Sequence, residues 1–160
     1  GFRRIGLCLE QWSHLRSNGL WLAGFLEIQQ LLPKTERVRP LLLPDGKFTA
    51  DRIGRWIGRE RPDVVIIHGR GPDETIPEVF LKHAKPAIPV VLDNWAGRPY
   101  AGIDQEYERM GAALADQLVG RLVHNERGIP EHPSLTLLEG TWVDHPMLNH
   151  AKEDGRRAGR

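Results

Sequence analysis

The chain has 160 residues, enough for one domain with its own hydrophobic core. Its 22 Lys and Arg balance 21 Asp and Glu, for a net charge of +1, whereas a nucleic-acid-binding domain usually carries a basic stripe that neutralises phosphates. The single cysteine, Cys8, excludes an internal disulfide and fits a reducing compartment. No apolar run approaches the ~18 residues of a membrane span. Composition therefore predicts a soluble, cytoplasmic protein that does not itself read DNA.

The first half of the chain alternates apolar strand-like runs with amphipathic helical segments. The predicted elements are a strand (Arg3–Glu10), a loop (Gln11–Asn18), a helix capped by Asn18 and stopped by Pro33, a strand (Arg39–Pro44), a turn (Asp45–Phe48), and a helix that Thr49 caps and that ends before Pro62. Runs that are apolar at consecutive positions are typical of strands buried on both faces. The last of these helices has an apolar stripe, which contains Ile53, Trp56 and Ile57.

The second half continues this alternation. The predicted elements are a strand (Asp63–His68), a loop (Gly69–Glu74), a short helix opened by Thr75 and Glu78, a strand (Ile88–Asp93), a loop (Asn94–Pro99), a long helix (Gln105–Arg127) and a last strand (Ser134–Gly140). Thr75 and Glu78 have the spacing of a capping box. Strand–helix pairs in regular order predict an α/β fold of three layers, a parallel sheet with helices on both faces.

Sequence motifs for common enzyme chemistries are absent. The chain has no G-x-G-x-x-G after a strand, no G-x-x-x-x-G-K-[ST] and no G-x-S-x-G. Its seven histidines never take the spacing of a helical metal pair. We therefore expect no metal, no cofactor and no catalytic group, although a strand-end carboxylate such as Asp93 would also suit an enzyme.

Polar and aromatic residues instead follow each predicted strand. Ligands of parallel sheets bind at the carboxyl ends of the strands, and sugars need aromatic faces together with fixed donors and acceptors. The strand ends supply Gln11, Trp12, Arg16 and Asn18, then Phe48, then Arg70, and finally Asp93, Asn94 and Trp95. This pattern favours a sugar-binding site, although Trp12 and Trp95 would equally suit the edge of the core.

Three stretches together resemble a known family. They are "PDVVIIH", "IPVVLDN" and the run from "AGIDQEYERMG" to "SLTLLEG", and the opening "FRRIGLCLE…LRSNGLWLAGF" agrees with them. The chain is similar in these to the sensor region of LacI/GalR-family transcriptional regulators. The resemblance covers residues 1 to about 143 and leaves a tail, residues 144–160.

The resemblance implies the second lobe of a two-lobed, periplasmic-binding-protein-like sensor that closes on a small molecule, often a sugar or a nucleobase derivative. Such regulators act as dimers and bind operator DNA through a helix-turn-helix headpiece, which is expected outside this chain. The resemblance further implies that Ala101–Asp104 crosses to the other lobe, that the helix within 104–127 packs there, and that Leu135–Glu139 returns.

That long helix has an apolar stripe formed by Tyr107, Met110, Leu114, Leu118 and Leu122. An uncovered stripe of this size is an association site. We expect it to be buried against another copy of the chain or to fold onto its own lobe.

Carried over by resemblance, the effector contacts fall at Arg16, Trp21, Phe48, Arg70 and either Asp93 or Asn94, depending on a one-residue alignment choice. With Trp95 from the strand-end pattern, these residues are the candidate effector contacts. Gly69-Arg70 replaces the Asn-Asp pair that is usual in the family, so the effector need not be a familiar disaccharide. We expect Asn94→Ala and Phe48→Ala to cost on the order of 1–3 kcal/mol of binding energy each. Two alternatives are an extracytoplasmic sugar-binding protein and a small flavodoxin-like enzyme using Asp93 and Arg70.

Overall fold

The fold is built on a six-stranded sheet whose carboxyl edge carries the candidate site. The structure, a computed structural model, describes residues 1–68, 87–94 and 100–144. Its elements are β1 (Ile5–Glu10), α1 (Gln11–Arg16), α2 (Leu20–Leu31), β2 (Leu41–Leu43), α3 (Ala50–Glu60), β3 (Val64–His68), β4 (Ile88–Asn94), β5 (Ala101–Asp104), α4 (Tyr107–Val123) and β6 (Thr141–Val143). The capping box at Thr75, Arg70, Trp95 and residues 145–160 lie outside the described residues.

The strands lie in the order β2-β1-β3-β4-β5-β6. The first five are parallel, and β6 pairs antiparallel with β5, with Ile103 opposite Trp142. The order 2-1-3-4-5 is that of flavodoxin-like α/β folds. The predicted three-layer α/β class is therefore confirmed, with α2 on one face of the sheet and α3 on the other.

Helix α3 covers the face formed by alternate residues of β1 and β3. Thr49 caps it as predicted, accepting a hydrogen bond from the Arg52 amide at 3.4 Å. The predicted stripe is buried, and Trp56 packs directly on Gly6, where a Cβ atom would lie 2.7 Å from the indole ring. The indole nitrogen donates to the Arg39 carbonyl at 2.8 Å. A glycine in mid-strand thus makes room for the largest side chain of this core.

Helix α2 lies over the opposite face, where Leu7 of β1 and Ile66 of β3 point toward it. It is anchored by Gln29, which donates to the Ile5 carbonyl at 3.3 Å and accepts from the Val38 amide at 2.6 Å. Cys8, on the α3 face, is fully buried, and burial raises the pKa of its thiol.

Two local predictions are wrong. The segment Gln11–Arg16 is a short helix rather than a loop, and Asn18 does not cap α2. Gly19 occupies the cap position with φ of 75°, and Asn18 is also left-handed with φ of 48°. Asn and Gly tolerate this conformation best, so the pair forms the tight connection between two consecutive helices.

The predicted last strand is also wrong. Residues 133–140 form no strand, and Leu135 and Leu137 are both 82% exposed. The segment instead runs beside α4, where Gln117 donates to Thr136 at 3.1 Å. Pairing begins only at Thr141, opposite Asp104 of β5. The long helix is shorter than predicted and ends at Val123. The left-handed conformation of Asn125, with φ of 52°, does not continue a helix.

Candidate functional site at the carboxyl edge of the sheet

A small cleft opens at the carboxyl edge, where the ends of β3 and β4 meet α1, α2 and the first turn of α4. Its volume is about 60 Å³, and it is lined by Arg16, Ser17, Trp21, His68, Asp93, Gln105 and Tyr107. Aromatic faces, a cation, a carboxylate and an amide therefore converge on one place. This combination supplies both the stacking surface and the hydrogen-bonding groups that hydroxyl-rich ligands require.

The wall formed by His68 is held by a buried chain of polar groups. His68 Nδ1 lies 2.8 Å from Ser13 Oγ, and Ser13 Oγ donates to Glu10 Oε1 at 3.1 Å. Because Ser13 gives its one hydroxyl hydrogen to Glu10, the hydrogen of the 2.8 Å contact belongs to His68 Nδ1. Ser13 is fully buried. The chain therefore fixes the tautomer and ring orientation of His68 and does not present Ser13 as a nucleophile.

Trp21 packs against His68 from the α2 side. The two ring centroids are 4.4 Å apart at an interplanar angle of 49°. The contact holds the indole at the cleft wall. A stacking surface is thus positioned by the first turn of α2, at the place where the LacI/GalR resemblance located a ligand contact.

The wall opposite His68 is formed by β4 and the start of α4. Tyr107 donates its phenol hydrogen to Asp93 Oδ1 at 2.8 Å, and its oxygen lies 3.3 Å from Gln105 Oε1. Gln105 itself donates to the Leu92 carbonyl at 2.9 Å. These contacts orient the Asp93 carboxylate, because one of its oxygens is held by a phenol on a different element.

Arg16 brings positive charge to the rim. Its guanidinium lies 5.1 Å from the ring centroid of Trp12, within cation–π range. The side chain is exposed, so it is available to a ligand without loss of a buried ion pair. Arg16 and Asp93 thus place opposite charges on the same cleft.

The cleft is too small for a whole sugar. A water molecule occupies about 30 Å³ of liquid, and ligand pockets usually enclose about 300–1,000 Å³. The described residues therefore form part of a binding surface, and a ligand of sugar size also needs contacts from beyond them.

Three of the predicted effector contacts, Arg16, Trp21 and Asp93, come together in this cleft. Phe48 does not line it and packs instead against the α3-side core. Asn94 is fully buried and donates through Nδ2 to the Tyr100 carbonyl at 2.9 Å, so the structure gives it a role in joining the end of β4 to the residue before β5. Arg70 and Trp95 lie outside the described residues.

Sequence reasoning missed His68 and Gln105, and it assigned Tyr107 to association alone. A signal existed for His68, because the last residue of a parallel strand lies at the ligand-binding edge. No local sequence pattern marks Tyr107 as a cleft residue. Its position in the first turn of α4 indicates that role only when the structure shows β4 beside it.

The first turn of α4 is anchored to the sheet, and the rest of the helix projects away from it. None of its residues is buried, and Leu114, Leu118 and Leu122 are all about three-fifths exposed. The predicted alternative in which the stripe folds onto its own lobe is therefore wrong for this chain. The stripe is intact and uncovered, and association with another copy remains a prediction.

Neither a metal cluster nor a spanning helix occurs among the described residues. Within 1–68, 87–94 and 100–144, no three His, Cys, Asp or Glu side chains are grouped so that they could hold a metal ion. In the same ranges no helix has the length and apolar character needed to cross a membrane.

Comparison with known proteins identifies no relative: no family model, no curated protein and no solved structure matches the chain.

Proposed function

We propose that this chain is an effector-sensing lobe of a LacI/GalR-type regulator and that its cleft binds a small hydroxyl-rich molecule, a sugar by class. The observation that carries the proposal is the convergence of Arg16, Trp21 and Asp93 with Gln105 at the carboxyl edge of a 2-1-3-4-5 sheet. These groups provide a stacking face, hydrogen-bond donors and hydrogen-bond acceptors, and none of them is a metal or a nucleophile.

The path of the chain supports a second lobe facing this cleft. The chain leaves the sheet after Asp104 and re-enters it at Thr141, and these two residues lie opposite each other in antiparallel strands. Between them α4 and the segment 133–140 project from the sheet edge with their apolar side chains exposed. Hinges are a few residues at the ends of elements, so Asp104 and Thr141, at the end of β5 and the start of β6, are the positions about which a second body would move.

The mechanism is a population shift. A ligand held between two lobes binds the closed arrangement more tightly than the open one. That difference in affinity is the free energy available to change the relative orientation of attached DNA-binding headpieces. DNA contact would belong to a helix-turn-helix unit outside these residues, and the regulator would act in the cytoplasm as a dimer.

A sugar screen tests the proposal. A thermal-shift screen of mono- and oligosaccharides would be followed by calorimetry of each hit on the wild-type chain, on Arg16→Ala and on Arg55→Ala. Arg55 is an exposed arginine on α3 that does not line the cleft, so Arg55→Ala is the matched control. We expect Arg16→Ala to weaken binding about 10-fold, which corresponds to about 1.4 kcal/mol, and Arg55→Ala to leave it unchanged. No hit in the screen, or equal losses in both variants, would contradict the proposal.

A further inference from the structure

A second concave surface lies on the α2 face and adjoins the cleft, with which it shares Trp21. It is a groove of about 530 Å³ between α2 and the sheet, and its walls are mainly apolar. The groove is lined chiefly by Phe2, Leu7, Trp21, Phe25, Ile28 and Ile66. Ile28 is 56% exposed although it faces this apolar surface. The groove therefore has the properties of a binding site for the apolar face of a helix.

The topology indicates which helix belongs there. Right-handed crossovers in a 2-1-3-4-5 sheet place the β1–β2 connection, which contains α2, on one face and the β2–β3 connection, which contains α3, on the other, and a helix that follows β5 belongs on the face of α2. In this chain that helix is α4. Its 17 residues span about 25 Å, and its apolar stripe is uncovered, so groove and stripe are complementary surfaces of the same chain.

The chain's own α4 is held away from the groove at its base. Glu106 has a left-handed φ of 53°, and its amide is bonded to Asp104 Oδ1 at 2.9 Å. Thr141 donates to Glu106 Oε1 at 2.6 Å, and Tyr107 donates to Asp93 at 2.8 Å. Folding back would break these contacts together, because they all fix the direction in which α4 leaves the sheet.

We infer that two copies of this chain exchange α4 reciprocally, each seating its stripe in the groove beside the α2 of the other. A two-fold arrangement forms both seats at once, so the same contacts are made twice. Because α4 starts at the cleft and projects beyond it, a copy that holds α4 lies beyond the carboxyl edge. The second copy would then occupy the place opposite the cleft that the proposed function gives to a second lobe, and in this respect the inference rests on the proposed function.

Charge-introducing variants test the exchange at exposed positions, where folding should survive. Ile28→Asp alters the groove, and Leu118→Asp, at a site 60% exposed, alters the stripe. Matched controls are Leu31→Asp, on α2 but outside the groove, and Ala112→Asp, on α4 about 120° from Leu118 around the helix axis. Size-exclusion chromatography with light scattering gives the mass, and circular dichroism confirms the fold of each variant.

The expected result is a wild-type particle of twice 18.1 kDa, dissociation at least 10-fold easier for Ile28→Asp and for Leu118→Asp, and no change in the controls. Mixing ¹⁵N-labelled Ile28→Asp with unlabelled Leu118→Asp should restore a mixed dimer in native mass spectrometry, because one groove and one stripe remain intact. A monomeric wild type overturns the inference. So does a dimer that Leu118→Asp disrupts and Ile28→Asp leaves intact, since the two helices would then pack on each other. Sugar binding by a monomeric wild type would overturn the exchange and leave the proposed function standing.

Discussion

The phenol of Tyr107 donates a hydrogen bond to Asp93 Oδ1 over 2.8 Å and so joins the first turn of α4 to the carboxyl end of β4. One contact thereby links the projecting helix to the wall of the candidate cleft. The cleft and the exit direction of the helix are coupled, because any swing of α4 moves a side chain that orients the Asp93 carboxylate. This coupling is what a sensor needs in order to convert ligand binding into movement.

Tyr107→Phe should lower the ligand affinity of the cleft while leaving the fold intact. Because Tyr107 is 47% exposed, the lost hydrogen bond should cost about 0.5–1.5 kcal/mol of folding stability. Ligand affinity should fall as well, because Asp93 loses the group that orients it. Urea denaturation gives the first quantity and calorimetry with a sugar from the screen gives the second. An unchanged ligand affinity would show that Asp93 does not take part in ligand binding.

Asn94→Ala should reduce stability more than it reduces ligand affinity. The amide is fully buried and bonded to the Tyr100 carbonyl, so its loss removes a buried hydrogen bond and leaves a small void, at a cost of about 1–3 kcal/mol. The free energy of unfolding from urea denaturation measures this cost. Full native stability combined with a large loss of sugar affinity would restore Asn94 to the role of ligand contact that the resemblance implied.

Gly102→Ala should be among the most destabilising single changes in the chain. A Cβ atom there would lie 2.0 Å from the Val91 carbonyl oxygen, a backbone atom that cannot move without opening the β4–β5 pair. We expect a loss of roughly 3 kcal/mol or more, at the upper end of overpacking effects. Gly58→Ala is the matched control: nothing lies within 4 Å of its added carbon. In the exposed interior of α3 the control should stabilise by about 0.5–1 kcal/mol. Similar effects of the two changes on the urea midpoint would contradict the packing at β5.

Glu60 should make the fold sensitive to acid. Burial by itself would raise the pKa of this carboxyl, but hydrogen bonds from the Arg39 amide and the Arg59 guanidinium, with the charges of both arginines, lower it overall. A lowered pKa in the folded state means that the stabilisation is present above the ordinary value of 4.5. It is lost as the pH falls below that value and through the folded-state pKa. Urea titrations between pH 7 and pH 3 should therefore show a smaller acid loss in Glu60→Gln than in wild type. Parallel losses would remove Glu60 as a cause.

The parts of the fold that the sequence predicts well are those fixed by local chemistry. β-Branched runs bounded by proline and glycine predict β3, and Thr49 with its apolar stripe predicts α3, because in both segments propensity, burial pattern and capping agree. The strand order is not among these predictions, because no residue pattern specifies which strands are neighbours and connection rules only limit the possible orders.

The errors arise where distant contacts decide the structure. The apolar spacing in residues 134–140 suits a strand, but the chain there runs along α4, and the partner that β5 offers is taken by Thr141–Val143. Similarly, Arg16 and Asp93 share the edge that their positions after strands predict, and Trp21 joins them from α2. Asn94, one residue beyond Asp93, points into the interior because successive residues of a strand face opposite sides.

The central claim is that the carboxyl-edge cleft binds a hydroxyl-rich small molecule, and the indole resonances of the chain's five tryptophans test it most directly. In a ¹H–¹⁵N correlation spectrum recorded during titration with a sugar from the screen, the Nε1–H signal of Trp21 should shift in a saturable way. The signal of Trp56, which lies on the buried face of α3 and is bonded to the Arg39 carbonyl, should stay in place. Trp21→Phe and Trp56→Phe assign the two signals. A saturable shift of the Trp56 signal with Trp21 unmoved, or no shift with any sugar, would contradict the account.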